Sequence, residues 1–469
     1  MNLDTESNQK LATKGLIIVF AISIVLRFWG LGRFNVFVFD EIYYAKFANN
    51  YLTNTPFFNS HPPLSQYLIA IGIWIGDRLP IGQDTTNNLT GSLHSTFSYR
   101  WMNAFFGSLI PPLVAGLAYQ LSQRMSSAFL AALFISLDGL FLIESRYALN
   151  NIFLVLFGLL GQFLLLLANR NNQKYDRLII LGAGISFGAS VSCKWNGLSF
   201  LLGAYILIII AKVWRSIESN RQSSIVTNSQ LFRLANIPII EVFISLVIVP
   251  LFTYSVLWIP HLIQNPEPNF IDVQWSIFNY HEQVNNGSGV HPYCANWYTW
   301  PLLMRPLAYY FTEYKPNYYY DVHAMGNPLL WWLALAAIFG SIWIIIKNSW
   351  LIIQNNILAP IRELNISYIS VPLFIVVNYA ANLLPWVKVT RCLFIYHYMG
   401  AVLFAIMGLG WLVDVSLRSS SKLWQAAGLT TIFSIAGAFV FWLPIYLGLS
   451  IEKNDLHYRL WDFWIFNWI

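Results

Sequence analysis

The chain has 469 residues, 57% of them hydrophobic and only 10% charged, with 20 Trp, 25 Tyr and 34 Phe. That composition excludes an ordinary soluble globule and places the chain among integral membrane proteins. The net charge of +6 is modest, and the basic residues gather on alternate loops rather than on one face, which sets nucleic acid aside as a partner.

Met1 to Lys14 is polar and Gly15 to Phe28 almost wholly apolar. No small-residue cleavage site follows, and Arg27 and Arg33 bracket the exit, so the segment reads as an uncleaved first span rather than a secretory signal. A bilayer takes about 17 to 20 apolar residues to cross. Eleven runs qualify, approximately 15–34, 97–121, 126–144, 149–168, 178–193, 197–214, 237–258, 328–346, 367–384, 393–413 and 424–446. The fifth and sixth flank Lys194-Trp195 and read either as two spans or as one bent hairpin.

Lys10, Lys14, Arg124, Arg170, Lys174, Arg177, Lys212, Arg215, Arg221, Arg233, Lys347, Arg362, Arg418 and Lys422 all fall on one side, which the positive-inside rule makes cytoplasmic. The amino terminus is then inside and the carboxyl terminus outside. Two long loops, about 35–96 and 259–327, lie outside and hold most of the acids. Polar chain cannot face lipid, so both loops fold on the outer surface. Leu64 to Trp74, too short to span, and the segment after Glu41 read as re-entrant or interfacial helices, and Tyr458 to Ile469, with Trp461, Phe463, Trp464, Phe466 and Trp468, as a segment at the headgroups. No internal repeat is visible. The expectation is an all-α polytopic membrane protein of about 11 transmembrane helices in a single domain, 1–469. Cys193, Cys294 and Cys392 show no CxxC spacing and are odd in number. They read as small apolar packers, with neither zinc nor a disulfide framework indicated.

The first outer loop opens with Asp40-Glu41 and closes with Asn59-Ser60-His61-Pro62-Pro63-Leu64. Adjacent carboxylates at a membrane exit read as a reactive centre, or as acids favoured in the first turn of the next helix. Arg27, Arg100, Asp138, Glu144, Arg146, Lys194, Lys388 and Arg391 lie within or at the outer ends of apolar runs, where a charge is costly unless paired or wetted. Asp138 pairing with an arginine, and Lys194 and Lys388 snorkelling, would explain them structurally. Basic groups converging near two carboxylates instead suit an anionic headgroup that is bound and released as phosphate. His61 and His291 with a carboxylate have the chemistry of a divalent-ion site, yet a phosphate facing several arginines requires none. The expectation is no cofactor and no metal.

Asp40-Glu41, His61 to Leu64 (HPPL), Ser145-Arg146, Lys194-Trp195-Asn196-Gly197, His291-Pro292-Tyr293 with Trp297 to Pro301, and Arg391 to Tyr398 together resemble the protein O-mannosyltransferases, in order along nearly the whole chain. The resemblance implies the C-type membrane glycosyltransferase fold. It implies transfer of mannose from a polyprenyl-phosphate mannose to Ser or Thr hydroxyls of exported proteins, at the outer face of the plasma (inner) membrane. Carried over, the family's acidic pair falls on Asp40 and Glu41 and its arginines on Arg27 and Arg100. Asp40 would be the general base and Arg100 a donor-phosphate ligand, with Arg27 and Arg391 helping and His61, Arg146, Lys194 and His291 supporting the substrate site. A single displacement would invert the anomeric centre. Asn59, Ser65-Gln66 and Asn151 stand where many relatives carry an acid, Gly-Lys and Asp. Loop 259–327 is too short for the β-trefoil of the fungal members, as in the compact bacterial branch. A same-fold transferase with a lipid or glycan acceptor shares this donor chemistry. A secondary transporter should show paired broken helices in two related halves, and none is evident.

Overall fold

The computed structural model describes residues 6–168, 173–219, 229–285, 289–358, 367–463 and 465–469. Arg170, Arg221, Arg362 and Trp464, used in the loop and tail readings, lie outside the described residues. The first span is α1 (Glu6–Phe28), followed in the outer loop by α2 (Glu41–Leu52) and α3 (Leu64–Gly76). The chain returns through α4 (Thr96–Ser108) and α5 (Ile110–Ser122). The Ser95 hydroxyl caps α4 by accepting from Ser98 N, and proline in the first turn of α5 needs no amide hydrogen there. Next come α6 (Met125–Ser136), α7 (Gly139–Glu144), α8 (Asn151–Leu167), α9 (Gln173–Cys193) and α10 (Leu198–Ser219). A π turn at Ile244–Ile248 joins α11 (Ile239–Phe243) to α12 (Val249–Gln264), and α13 (Phe270–Gln283) lies in the second outer loop. The last helices are α14 (Pro328–Leu358), α15 (Ser367–Leu383), α16 (Met399–Arg418), α17 (Lys422–Leu447) and α18 (Lys453–Arg459).

Among the described residues, nine helical stretches are long and apolar enough to cross a membrane. The other two expected runs, 126–144 and 149–168, contain the shorter apolar helices α6, of 12 residues, and α8, of 17. The first run is cut because Asp138 turns extended and its carboxylate caps α7, accepting from Phe141 N at 3.0 Å. Lys194 is also extended, and a single 3-10 turn, Trp195–Gly197, separates α9 from α10, so the fifth and sixth runs are two helices. The core is continuous from Phe34 to Trp468. The spanning stretch that includes α16 is 72% buried against 17% for α1 and 22% for α17, so α16 sits centrally while α1 and α17 turn apolar side chains to lipid.

One expectation is borne out with an addition and one needs correction. The chain is mostly helical, as expected, with a few strands among the helices. Besides the short pairs β1 (Thr86–Asn87) with β2 (His94–Ser95) and β6 (Asp462–Phe463) with β7 (Phe466–Asn467), an antiparallel sheet forms in the order β3 (Leu307–Lys315), β4 (Tyr318–Ala324), β5 (Ser450–Glu452). Its two longer strands are rich in Tyr, which favours a pleated, half-buried surface. Second, Cys294 and Cys392 form a disulfide across 98 residues of sequence, leaving only Cys193 as a buried free thiol. Backbone bonds from Ala295 N to Leu393 O (2.7 Å) and Cys392 N to Asn285 O (3.0 Å) bring the two segments together. The tail folds back on the second outer loop: Trp468 is fully buried, stacks on Trp461 at 4.7 Å and donates to Leu303 O at 2.7 Å.

Candidate active site

The two adjacent carboxylates lead different lives. Glu41 is fully buried, and both its oxygens are taken. Oε1 accepts from Arg100 Nε (2.8 Å) and Ala148 N (2.9 Å), and Oε2 from Arg100 Nη2 (2.8 Å) and Val38 N (2.8 Å). Arg100, also fully buried, spends its remaining N–H groups on Leu31 O (2.7 Å), Phe34 O (3.0 Å) and Val36 O (2.8 Å). A guanidinium has five N–H donors, and all five are engaged inside the protein. The pair therefore pins residues 31–41 to α4 and to the turn after Arg146. Glu41, expected as half of the reactive pair, and Arg100, expected as a phosphate ligand, bind each other and the backbone in this structure as a brace.

Arg146 and Arg27 extend the brace. Arg146 Nη1 donates to Leu26 O (2.6 Å) and Trp29 O (2.7 Å), terminating α1 by satisfying its last carbonyls. Arg27 is fully buried, donating through Nε to Ser145 Oγ (3.2 Å) and through Nη1 to Ser23 Oγ. Neither is among the residues lining the cavity at Lys194.

Asp40 is the other case. It occupies the N-cap position of α2, yet its carboxylate makes no cap hydrogen bond. The preceding Phe39 has φ +53, a left-handed conformation uncommon for a bulky residue and characteristic of functional sites. Its ring lies flat on Tyr309, centroids 4.3 Å apart and 6° from parallel. This distortion turns Asp40 away from the role a helix would give it. Burial pushes the Asp40 carboxyl up to about 6, and Lys194 partly opposes the shift.

Lys194 opens onto a cavity of about 650 Å³, lined also by His61, His281, Glu282, Lys388 and Arg391 and otherwise largely by apolar groups from α10, α13 and the turn after α15. Its ammonium sits over the Tyr396 ring at 5.0 Å. Burial and Arg391 bring it down to about 8, against the pull of Asp40 and Glu144. The Cys294–Cys392 bond fastens the segment next to Arg391. His61 stacks on His281 at 5.2 Å, and His281 Nε2 bonds Ser60 O at 3.0 Å. His291 packs instead on Phe394 at 5.0 Å and is not among the cavity's lining residues. Among the described residues no three His, Cys, Asp or Glu side chains gather as metal ligands.

Three more residues lie near Asp40: Glu144, expected only as a charge at membrane depth, Tyr396, inside the Arg391 to Tyr398 motif, and Tyr309, which no motif in the sequence singles out. Glu144, fully buried, accepts from the Tyr309 hydroxyl and from Asn151 Nδ2 at 3.1 Å. Asn151, noted as a lost acid, thus steadies a carboxylate supplied seven positions earlier. Tyr309 sits at a β-bulge, skipped in the register between Ala308↔His323 and Tyr310↔Val322, and bulges re-aim side chains beside active sites. Tyr396 joins Lys194 to Phe39, whose ring lies 6.0 Å from its own. The signals were an acid before Ser145-Arg146 and a tyrosine-dense strand, neither distinctive without the fold.

Two family models match the chain: dolichyl-phosphate-mannose-protein mannosyltransferase over residues 17–263, and the C-terminal four-transmembrane region of protein-O-mannosyltransferase over 267–464. A polyprenol-phosphate-mannose–protein mannosyltransferase of Mycolicibacterium smegmatis is 22% identical, covering 95% of this chain and 91% of its own length. One of Corynebacterium glutamicum is 22% identical over 96% and 92%. The solved protein O-mannosyltransferase Pmt1-Pmt2 complex of S. cerevisiae, bound to the sugar donor, superposes with a TM-score of 0.78 at 16% identity, covering 98% of this chain and 92% of that one.

Proposed function

Because the chain belongs to the dolichyl-phosphate-mannose-protein mannosyltransferase family, we propose that it moves mannose from a polyprenyl-phosphate mannose to Ser or Thr hydroxyls of exported proteins by one inverting displacement, with Asp40 as base. The observation that carries this is the division between the two acids. Glu41 is saturated, while Asp40 makes no cap bond and lies within electrostatic reach of a lysine that opens on the cavity.

The step balances as follows. The acceptor oxygen forms its bond to the anomeric carbon as the carbon–phosphate oxygen bond breaks, and the hydroxyl proton passes to Asp40. Asp40 loses its negative charge while the departing polyprenyl phosphate gains one. Fixed cations on the phosphate side then stabilise the transition state more than the ground state. Lys194 and Arg391 fill that place, with His61 and His281 on the cavity wall. A carboxyl near 6 is still mostly ionised at neutral pH and more basic than an ordinary aspartate, the compromise general-base catalysis favours. We propose that the reaction needs no metal, since two cations already face the leaving group.

The orientation follows the same proposal: inner membrane, amino terminus cytoplasmic, carboxyl terminus and site outside. The loop charges support it, as does the Cys294–Cys392 disulfide, because such bonds persist in oxidising compartments. The test is to incubate purified protein in lipid nanodiscs with polyprenyl-phosphate mannose and a Ser/Thr-rich peptide, without and with EDTA. Mass spectrometry should find mannosylated peptide in both, and NMR should find the anomeric configuration inverted. Mannose appearing on lipid or glycan but never on peptide would move the assignment to the lipid-acceptor reading.

A further inference from the structure

The outer sheet has an open side. In the order β3-β4-β5, strand β3 pairs with β4 alone, so among the described residues its second edge carries no strand. The strand is nine residues long and contains no proline, while Phe311 and Tyr314 on it are 56% and 60% exposed. A row of free N–H and C=O groups along an edge is a template for another chain, and β3 carries part of the usual protection in its two bulges and in Glu313 and Lys315 at its outer end. The inner end of β3 runs into the reaction centre. Tyr309, the bulged residue, gives its hydroxyl to Glu144 and its ring to Phe39, whose neighbour is Asp40.

We propose that β3 is the docking edge for the acceptor polypeptide, which adds to the sheet as an extended strand and so lays a Ser or Thr beside Asp40. The inference rests on the peptide-acceptor reading above. Main-chain pairing binds a chain with little demand on its sequence, and alternate side chains point to opposite faces. An exported chain that has not yet folded offers such a strand, whereas a lipid or glycan acceptor has no backbone amides to pair. The bulge interrupts the ladder at Tyr309 before pairing resumes at Ala308 and Leu307, and at that interruption the acceptor hydroxyl has to leave the ladder and turn toward the base.

The test places a single cysteine at Phe311→Cys, an exposed position, in a chain whose natural cysteines are a disulfide and one buried thiol. Acceptor peptides carry one cysteine at successive distances from a single Ser, and disulfide trapping is scored without donor. The same peptides, with alternate backbone amides N-methylated, are scored for mannose transfer. A docked strand gives trapping that alternates with a period of two residues, and N-methylation of one alternate set lowers transfer at least tenfold while the other set is tolerated. Peptides that receive mannose yet trap without alternation, or tolerate either methylated set, overturn the edge assignment and leave the transferase reading intact. A panel in which no peptide receives mannose overturns both.

Discussion

Asp40 and Glu41 are neighbours in sequence, and the two regions they belong to are built on opposite principles. Around Glu41, Arg100 has all its donors engaged and both Glu41 oxygens are taken, while the neighbouring Arg27 and Arg146 are buried with Nη2 and Nε respectively left without a partner among the described residues. Removing one member of such a buried pair leaves the other charge uncompensated, at about 3–5 kcal/mol. Around Asp40, Lys194, Arg391 and Glu144 keep charges close without ion pairing among the described residues, and Lys194 and Arg391 line a cavity large enough for a ligand. The comparison teaches that depth in the membrane alone does not mark a functional charge. What distinguishes the cleft is that Lys194 and Arg391 line a cavity, whereas Glu41 and Arg100 spend their bonds on each other and on the backbone.

Substitutions that keep shape separate the two regions most sharply. Asp40→Asn should lower turnover by roughly 10²-fold or more with unchanged donor affinity and no loss of thermal stability, since the side chain makes no cap bond. Arg100→Ala should do the reverse, destabilising the protein by about 3–5 kcal/mol, read as lost expression and a lowered melting temperature. A stable Arg100→Ala protein with a raised donor KM would restore Arg100 to the phosphate site and break the division. Glu41→Gln should likewise fail in folding before it fails in chemistry.

Within the cleft the effects are smaller. Lys194→Met should raise donor KM by roughly tenfold, one charge-assisted contact being worth about 1.5–3 kcal/mol, with peptide KM little changed. The pH profile should be a bell. The rate rises with pH as Asp40 ionises near 6 and falls as Lys194 loses its proton near 8. In Lys194→Met the alkaline limb should vanish while the acid limb stays, a pattern that sorts the two groups without relying on absolute rates.

Much of this fold was legible because hydropathy and lysine–arginine placement are read off the chain directly, as at Gly15 to Phe28 or the basic residues around Lys212. The break at Asp138 was not, because it depends on a single cap: Asp138 ends a helix only when its carboxylate reaches Phe141 N. In the site, Asp40 and Lys194 stood out as charges in apolar surroundings. The roles of Glu41 and Arg100 did not, because an arginine with five engaged donors and one with none look alike in sequence. Tyr309 and Glu144 meet across 165 residues, and Cys294 and Cys392 across 98. Pairing at that separation is decided by the packing of intervening helices, which no local pattern encodes.

The smallest expected effect tests whether the cleft is held from outside. Cys392 follows Arg391 directly, and its bond to Cys294 ties that segment to the second outer loop. Two backbone hydrogen bonds, Ala295 N to Leu393 O and Cys392 N to Asn285 O, hold the same contact, so the fold does not depend on the sulfurs alone. Losing the disulfide should therefore leave the helices in place and loosen only the position of Arg391. Replacing both cysteines by serine should raise donor KM by roughly threefold, under 1 kcal/mol at RT near 0.59 kcal/mol, and leave kcat and the acid limb of the pH profile unchanged. The brace lies beyond this tether, so the melting temperature of the Arg100→Ala protein should respond to reductant no more than that of the parent. A double-serine variant with wild-type donor KM would show that Arg391 is positioned by its own helix turn, and the outer loop would then lose its part in shaping the cleft.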